Sequence, residues 1–176
     1  MAESVKPQLV FSVGSAPSKV ACAPGWSLGD GRWDTLIEDA ASTVFETMLG
    51  TSLTPVKGNP PAEGDVTAMV GLAGALVGVL SVRCPLQTAN ILASKMLGVT
   101  TAEAESAARD ALGEIANVVA GTLVAKAPGL EDVCFLSTPT VITGHDFKVH
   151  SFGNSTTVEV PLEIEGSRVW FCFSTV

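Results

Sequence analysis

Asp110, Glu114 and Asn117 are the side chains of this sequence whose types and spacing could do chemistry together. At about 100° per residue they fall at about 0°, 40° and −20° on a helix surface, so three polar groups stand within about 60° of one another. Leu112, Ile115, Ala116, Val119 and Leu123 point the other way. A helix of that kind can be held against a core while its polar row faces outward. Ser106 and Gly121 extend the row by a turn in each direction. The ordinary reading of such a stripe is the solvated face of an amphipathic helix. Two features argue for more. Asn117 sits mid-helix although asparagine competes there for its own backbone hydrogen bonds, and Gly113 and Gly121 each cost the helix about 1 kcal/mol relative to alanine. Small residues beside a carboxylate and a carboxamide leave room for another surface to approach.

Asp110, Glu114 and Asn117 include no histidine, serine or cysteine nucleophile, which excludes most covalent mechanisms for them. Asp110 and Glu114 could hold a metal, or act as the carboxylate pair of a glycosidase, but adjacent turns of one stripe do not flank a substrate well. Glutamate with asparagine suits another task, completing the active site of a different protein. A carboxamide donates and accepts at once, so it can fix a water for attack on phosphorus. The carboxylate can pair with a lysine of the partner.

Composition narrows the alternatives. The 176 residues suit one domain, or one domain with an arm, and 47% apolar content is ample for a packed core. Net charge is −8 with only ten lysines and arginines, so no basic stripe exists to neutralise phosphates, and nucleic acid is excluded as a partner. Cys22, Cys84, Cys134 and Cys172 are far apart and form no CxxC pair, and the chain has two histidines. They read as reduced core residues of a cytosolic protein. The N-terminus shows no secretory signal, so the chain is expected in the cytoplasm. Val66 to Val82 is free of charge for 17 residues, but Gly71, Gly74 and Gly78 interrupt it and Asp65 and Arg83 bound it. A hairpin of two buried strands turning near Ala73 to Ala75 fits it better than a membrane span.

The elements that must position the row follow in order. Residues 1 to 32 form an arm rich in Pro, Gly and Ser, with one short apolar patch at Leu9 to Val13 that could add a strand. Trp33 to Leu49 is periodic at helical spacing, with Asp34 as N-cap and Gly50 as stop. Thr51 to Gly64 reads as a loop, and the hairpin of 66 to 83 follows. Pro85 opens a second helix, Leu86 to Leu97, ended by Gly98. Thr100 with Glu103 is a capping-box signature for a third helix running to about Lys126, where Pro128 and Gly129 end it. That helix carries the polar row. Val133 to Leu136, Thr140 to Thr143 and Phe147 to Phe152 then read as short strands, and Val158 to Ile164 and Val169 to Phe173 as a last hairpin turning at Gly166-Ser167. The order α-β-β-α-α-β(n) predicts an α+β fold with a largely antiparallel sheet packed with helices, occupying residues 33–176.

The run Asp110-x-x-x-Glu114-x-x-Asn117, with 21 residues between Asn117 and Pro139, resembles the signature of the CheC, CheX and FliY family of chemotaxis phosphatases. Thr138-Pro139-Thr140-Val141, followed by Gly144-x-Asp146-x-Lys148-x-x-Ser151-Phe152-Gly153, is similar to the CheX branch in particular. The similarity runs from about Trp33 to the C-terminus. It implies a phosphatase acting on the aspartyl-phosphate of a CheY-like receiver domain. Glu114 would engage a lysine of the receiver, and Asn117 would enter the receiver's active site to orient the hydrolytic water. Mg²⁺ would belong to the receiver, with no cofactor or metal of the chain's own. Asp110 falls on a position that is Asp or Ser in the family, which implies a supporting or docking role, and Pro139 would shape the strand start beside the helix. The resemblance also implies a homodimer joined through its sheets. Gly113, Gly121 and Gly144 read as packing and turn residues, and His145 and His150 as surface strand residues. The alternative is a receiver-binding or flagellar-switch module of the same fold that does not hydrolyse.

Overall fold

The computed structural model describes residues 32–58, 66–144 and 155–175. The strand expected at Leu9 to Val13, the strand at Phe147 to Phe152, most of the arm, Cys22, His145 and His150 lie outside them.

Helix α1 spans Arg32–Leu49 and turns its apolar stripe, Trp33, Ile37, Ala40, Val44 and Phe45, onto the sheet. Asp34 lies inside its first turn rather than at its cap, with its carboxylate accepting from the Thr35 amide at 2.9 Å. Trp33 stacks at a tilt on Phe173 with centroids 4.9 Å apart, and Phe45 meets Phe171 edge-on at 6.1 Å. Each such side chain, fully buried, stabilises the fold by about 1.5–3 kcal/mol relative to exposure. Strand β1 is only Thr54–Pro55, inside the segment expected to be loop, where two residues pair with the edge of β6.

The apolar stretch resolves into strands β2 (Val66–Gly74) and β3 (Gly78–Cys84), paired antiparallel. Their turn, 75–77, sits later than expected because β2 continues to Gly74, which pairs with Cys134. Gly74 has φ +118, and a Cβ there would lie 2.1 Å from the carbonyl oxygen of Val133, so no other residue fits. Helix α2 spans Leu86–Leu97 and stops at Gly98.

The expected third helix is two helices. The Thr100–Glu103 capping box forms as anticipated and opens α3, Thr101–Ala104. Its two hydrogen bonds, the side-chain bond from Thr100 foremost, hold the Glu103 carboxyl below its ordinary pKa. After one turn the chain tightens into a 3-10 turn, Glu105–Ala107, and α4 begins at Ala108 and runs to Lys126. The tighter turn lets α3 pack on α2 while the long helix lies over β2, with Ala104 and Ala108 both fully buried at the joint.

Strands β4 (Cys134–Leu136), β5 (Thr140–Thr143), β6 (Thr156–Ile164) and β7 (Ser167–Thr175) complete one antiparallel sheet of order β1-β6-β7-β3-β2-β4, with β5 also on β2. Ile164 pairs with Ser167, so the β6–β7 turn is Glu165-Gly166, one residue earlier than expected. Both have positive φ, 49° and 79°, as a two-residue hairpin turn with matching twist requires. Helices α1, α2 and α4 cover one face of the sheet. There Val70, Leu80, Val82, Phe171 and Phe173 meet Ile115, Val119 and Leu123 in one core. Among the described cysteines, all free, Cys84 is in that core while Cys134 and Cys172 are only half-buried. Among the described residues no helix is long and apolar enough to cross a membrane.

Candidate functional site

Helix α4 lies between α1 and α2 and crosses β2. The five residues expected to face inward, Leu112, Ile115, Ala116, Val119 and Leu123, are all buried. Asp110 and Glu114 are exposed, and Asn117 is half-buried on the same row. Glu114 and Asn117 are separated by about 4.5 Å along the helix axis, three residues at about 1.5 Å each. Ser106 does not extend this row, because it belongs to the 3-10 turn before α4. That break also puts Asp110 in the first turn of α4, where the helix dipole favours a carboxylate. Among the described residues, Asp110, Glu114 and Asn117 make no side-chain hydrogen bond or ion pair, so the row is chemically open toward solvent.

The support beneath the row comes from the far edge of the sheet. β4 and β5 run end to end along β2, and between them the register slips by one residue. Leu72 faces Leu136, Gly71 exchanges hydrogen bonds with Ser137, and Met69 faces Thr140, so Thr138 and Pro139 together oppose the single residue Val70. This is a β-bulge, and Pro139, which has no N–H to offer the ladder, occupies its unpaired position. The Ser137 hydroxyl holds the bulge by accepting from the Gly71 amide at 2.8 Å. Directly across from it lies Gly113. A Cβ on Gly113 would stand 3.1 Å from Cγ2 of Val141 and 3.6 Å from Cβ of Pro139. The glycine immediately before Glu114 is therefore where helix and bulge touch backbone to side chain. Gly121, two turns on, repeats the approach more loosely, with Leu136 at 3.8 Å. Pro139 thus does border the helix at the start of β5, and both glycines are packing residues.

On the other flank of the row runs an open groove of about 280 Å³. Met96 and Leu97 of α2, Ala107 of the 3-10 turn, and Asp110, Ala111 and Glu114 of α4 line it. Sequence spacing alone did not reveal it. Its only sequence signal is the Leu97-Gly98-Val99 run, where two large apolar residues bracket a helix stop rather than continue an inward stripe. Among the described residues no group of three His, Cys, Asp or Glu side chains is placed to hold a metal ion.

A family model, chemotaxis phosphatase CheX, matches residues 66–163. The match includes the polar row, the bulge and the groove. The CheY-P phosphatase CheX of Thermotoga maritima is 26% identical over 126 residues, 67% of this chain and 81% of that protein. A chemotaxis protein CheX from Desulfovibrio desulfuricans superposes with a TM-score of 0.67 at 26% identity, covering 82% of this chain and 99% of that one. The Borrelia burgdorferi CheX, solved as a CheX–CheY–BeF3–Mg²⁺ complex, superposes with a TM-score of 0.66 at 26% identity, covering 81% and 97%.

Proposed function

The chain belongs to the CheX family of chemotaxis phosphatases, and from that premise we propose that it removes the phosphoryl group from the aspartyl-phosphate of a CheY-like receiver domain, with Glu114 and Asn117 as the acting residues. The observation that carries this reading is the contrast within α4. Glu114 and Asn117 have no side-chain partner among the described residues, while the helix backbone is packed tightly against the sheet edge at Gly113. A helix so held presents two unsatisfied polar groups in a fixed geometry, as an inserted catalytic group requires.

In this reading α4 lies against the receiver's active site. Glu114 pairs with a receiver lysine and sets the register. The Asn117 carboxamide oxygen accepts a hydrogen bond from a water and aims it at phosphorus in line with the aspartyl oxygen. The water oxygen bonds to phosphorus, the bond from phosphorus to the aspartyl oxygen breaks, and the products are inorganic phosphate and a free carboxylate. Mg²⁺ is the receiver's and neutralises the phosphoryl oxygens. Asp110 supports docking one turn earlier, and Pro139 supports the helix through the bulge. Residues 33–176 form one phosphatase domain. The three described free cysteines fit a reducing cytoplasm, where we place the protein.

We further assign a homodimer joined through the sheets. The helix-free face supports it: Ala73 and Phe135 pair across strands on that face, Val79 lies beside them, and Phe135 is 70% exposed, with Val77 and Val133 exposed at the rim. Exposed apolar side chains grouped at one corner of an uncovered sheet face fit an interaction surface.

The test is the decay of a phosphorylated CheY receiver with and without the protein. Wild type should accelerate it, and Asn117→Ala should lose about 10²-fold or more of the acceleration. Binding without acceleration by wild type would establish a docking module instead. For the dimer, Phe135→Asp should convert a sedimenting dimer to monomer, and a wild-type monomer at micromolar concentration would overturn it.

A further inference from the structure

The groove beside the catalytic row has a chemistry that water positioning does not use. Four of its six lining side chains, Met96, Leu97, Ala107 and Ala111, are apolar, and the other two, Asp110 and Glu114, are carboxylates on one wall. Leu97 is 55% exposed. Leu97 joins Met96 and two alanines in one apolar lining open to water, whereas Leu92 and Ala93, about a turn back on α2, are fully buried in the core.

The corner that carries it is built to stay in place. Gly98 adopts the left-handed conformation with φ 66°, and its amide donates to the Ser94 carbonyl. The Val99 amide donates to the same oxygen at 3.2 Å, and the capping box at Thr100 begins the next turn. Lys95 on α2 is paired with Glu165 at 2.7 Å, and neither it nor Arg109 lines the groove. The groove therefore keeps its negative wall while its apolar floor remains open. A volume of about 280 Å³ is at or below the lower end for small-molecule sites and suits a protruding side chain. It is also continuous with the row, since Glu114 belongs to both.

We propose that this groove is a docking subsite for the receiver, taking a large apolar side chain of the receiver's surface whose neighbour is basic. The apolar chain seats on Met96 and Leu97 and the basic group meets Asp110. This rests on the phosphatase reading of the same helix, and it assigns Leu97 to receiver affinity rather than to the hydrolytic step. An apolar anchor desolvated beside a ring of charge is the arrangement that concentrates binding energy in few residues. The carboxylates contribute mainly to encounter rate and choice of partner.

The test uses full-length protein and a phosphorylated CheY receiver with Mg²⁺, in two arms. Saturation kinetics of phosphoryl decay should show Leu97→Asp raising KM about tenfold with kcat within about twofold, the reverse of the Asn117→Ala pattern, and Leu97→Met should stay near wild type. Titration against the receiver held in its phosphorylated form by beryllofluoride should show the same tenfold loss of affinity. Circular dichroism confirms that the exposed substitution leaves the fold intact. Equal affinity of Leu97→Asp and wild type overturns the subsite, whatever the decay rates. Binding that is lost in Leu97→Asp while wild type fails to speed decay upholds the subsite and overturns the phosphatase reading. Failure of wild type to bind at all overturns both.

Discussion

Helices α1 and α4 are nearly equal in length, 18 and 19 residues, and both bury an apolar stripe against the same sheet, yet they differ in how their first turns and middles use outward polar groups. On α1 several of those groups are satisfied within the protein. Thr43 and Thr47 hydroxyls donate to the carbonyls four residues back at 2.8 Å, and Asp39 pairs with Lys126 at 2.7 Å. On α4 the row of Asp110, Glu114 and Asn117 has no partner among the described residues, while two glycines allow close packing from below. α1 has no glycine. A scaffold helix uses its outward polar groups locally. In the proposed phosphatase reading α4 leaves its row open and is held in place from below, at some cost in helix propensity.

The sharpest way to break this comparison is at Asn117. Asn117→Ala should remove about 10²-fold of phosphatase activity yet leave stability to thermal unfolding within about 0.5 kcal/mol, because its side chain has no hydrogen bond to lose among the described residues. A large drop in melting temperature would make α4 a scaffold like α1. Next in size is Gly113→Val. Its side chain would overlap Val141 and Pro139 and should cost about 1–3 kcal/mol in urea unfolding, with activity falling as α4 lifts from the bulge. Glu114→Lys should weaken receiver binding by about tenfold, with an effect that shrinks as salt rises, because the group is exposed and its contact electrostatic. Smallest is Asp39→Asn on α1. It removes an exposed ion pair, should change stability by less than about 1 kcal/mol, and should leave phosphoryl decay unaltered.

Much of this arrangement was legible in local pattern. The inward residues of α4, the stop at Gly98 and the capping box at Thr100 depend on neighbours within a turn, and each stands where its spacing placed it. Errors came where distant segments intervene. The helix expected from Thr100 to Lys126 breaks at Glu105–Ala107, where α3 packs on α2 while α4 turns to pack on α1 and β2 as well, and no proline or glycine announces it. The first hairpin turns later than expected because β4, some 60 residues on, extends β2 to Gly74. β1 has no signal in the sequence because two residues paired to a sheet edge carry no periodicity.

By itself the sequence determined that Asp110, Glu114 and Asn117 share one row with apolar residues behind them. The helical period is a local property, and the family signature is written in the same residues. The tertiary structure decided what stands on either side of that row. Pro139 borders Gly113 where the register on β2 slips by one residue, and Leu97 shares a groove with Asp110 because α2 and the 3-10 turn pack against α4. Those contacts join segments far apart in the chain, so they follow from strand register and helix packing, which no local spacing encodes.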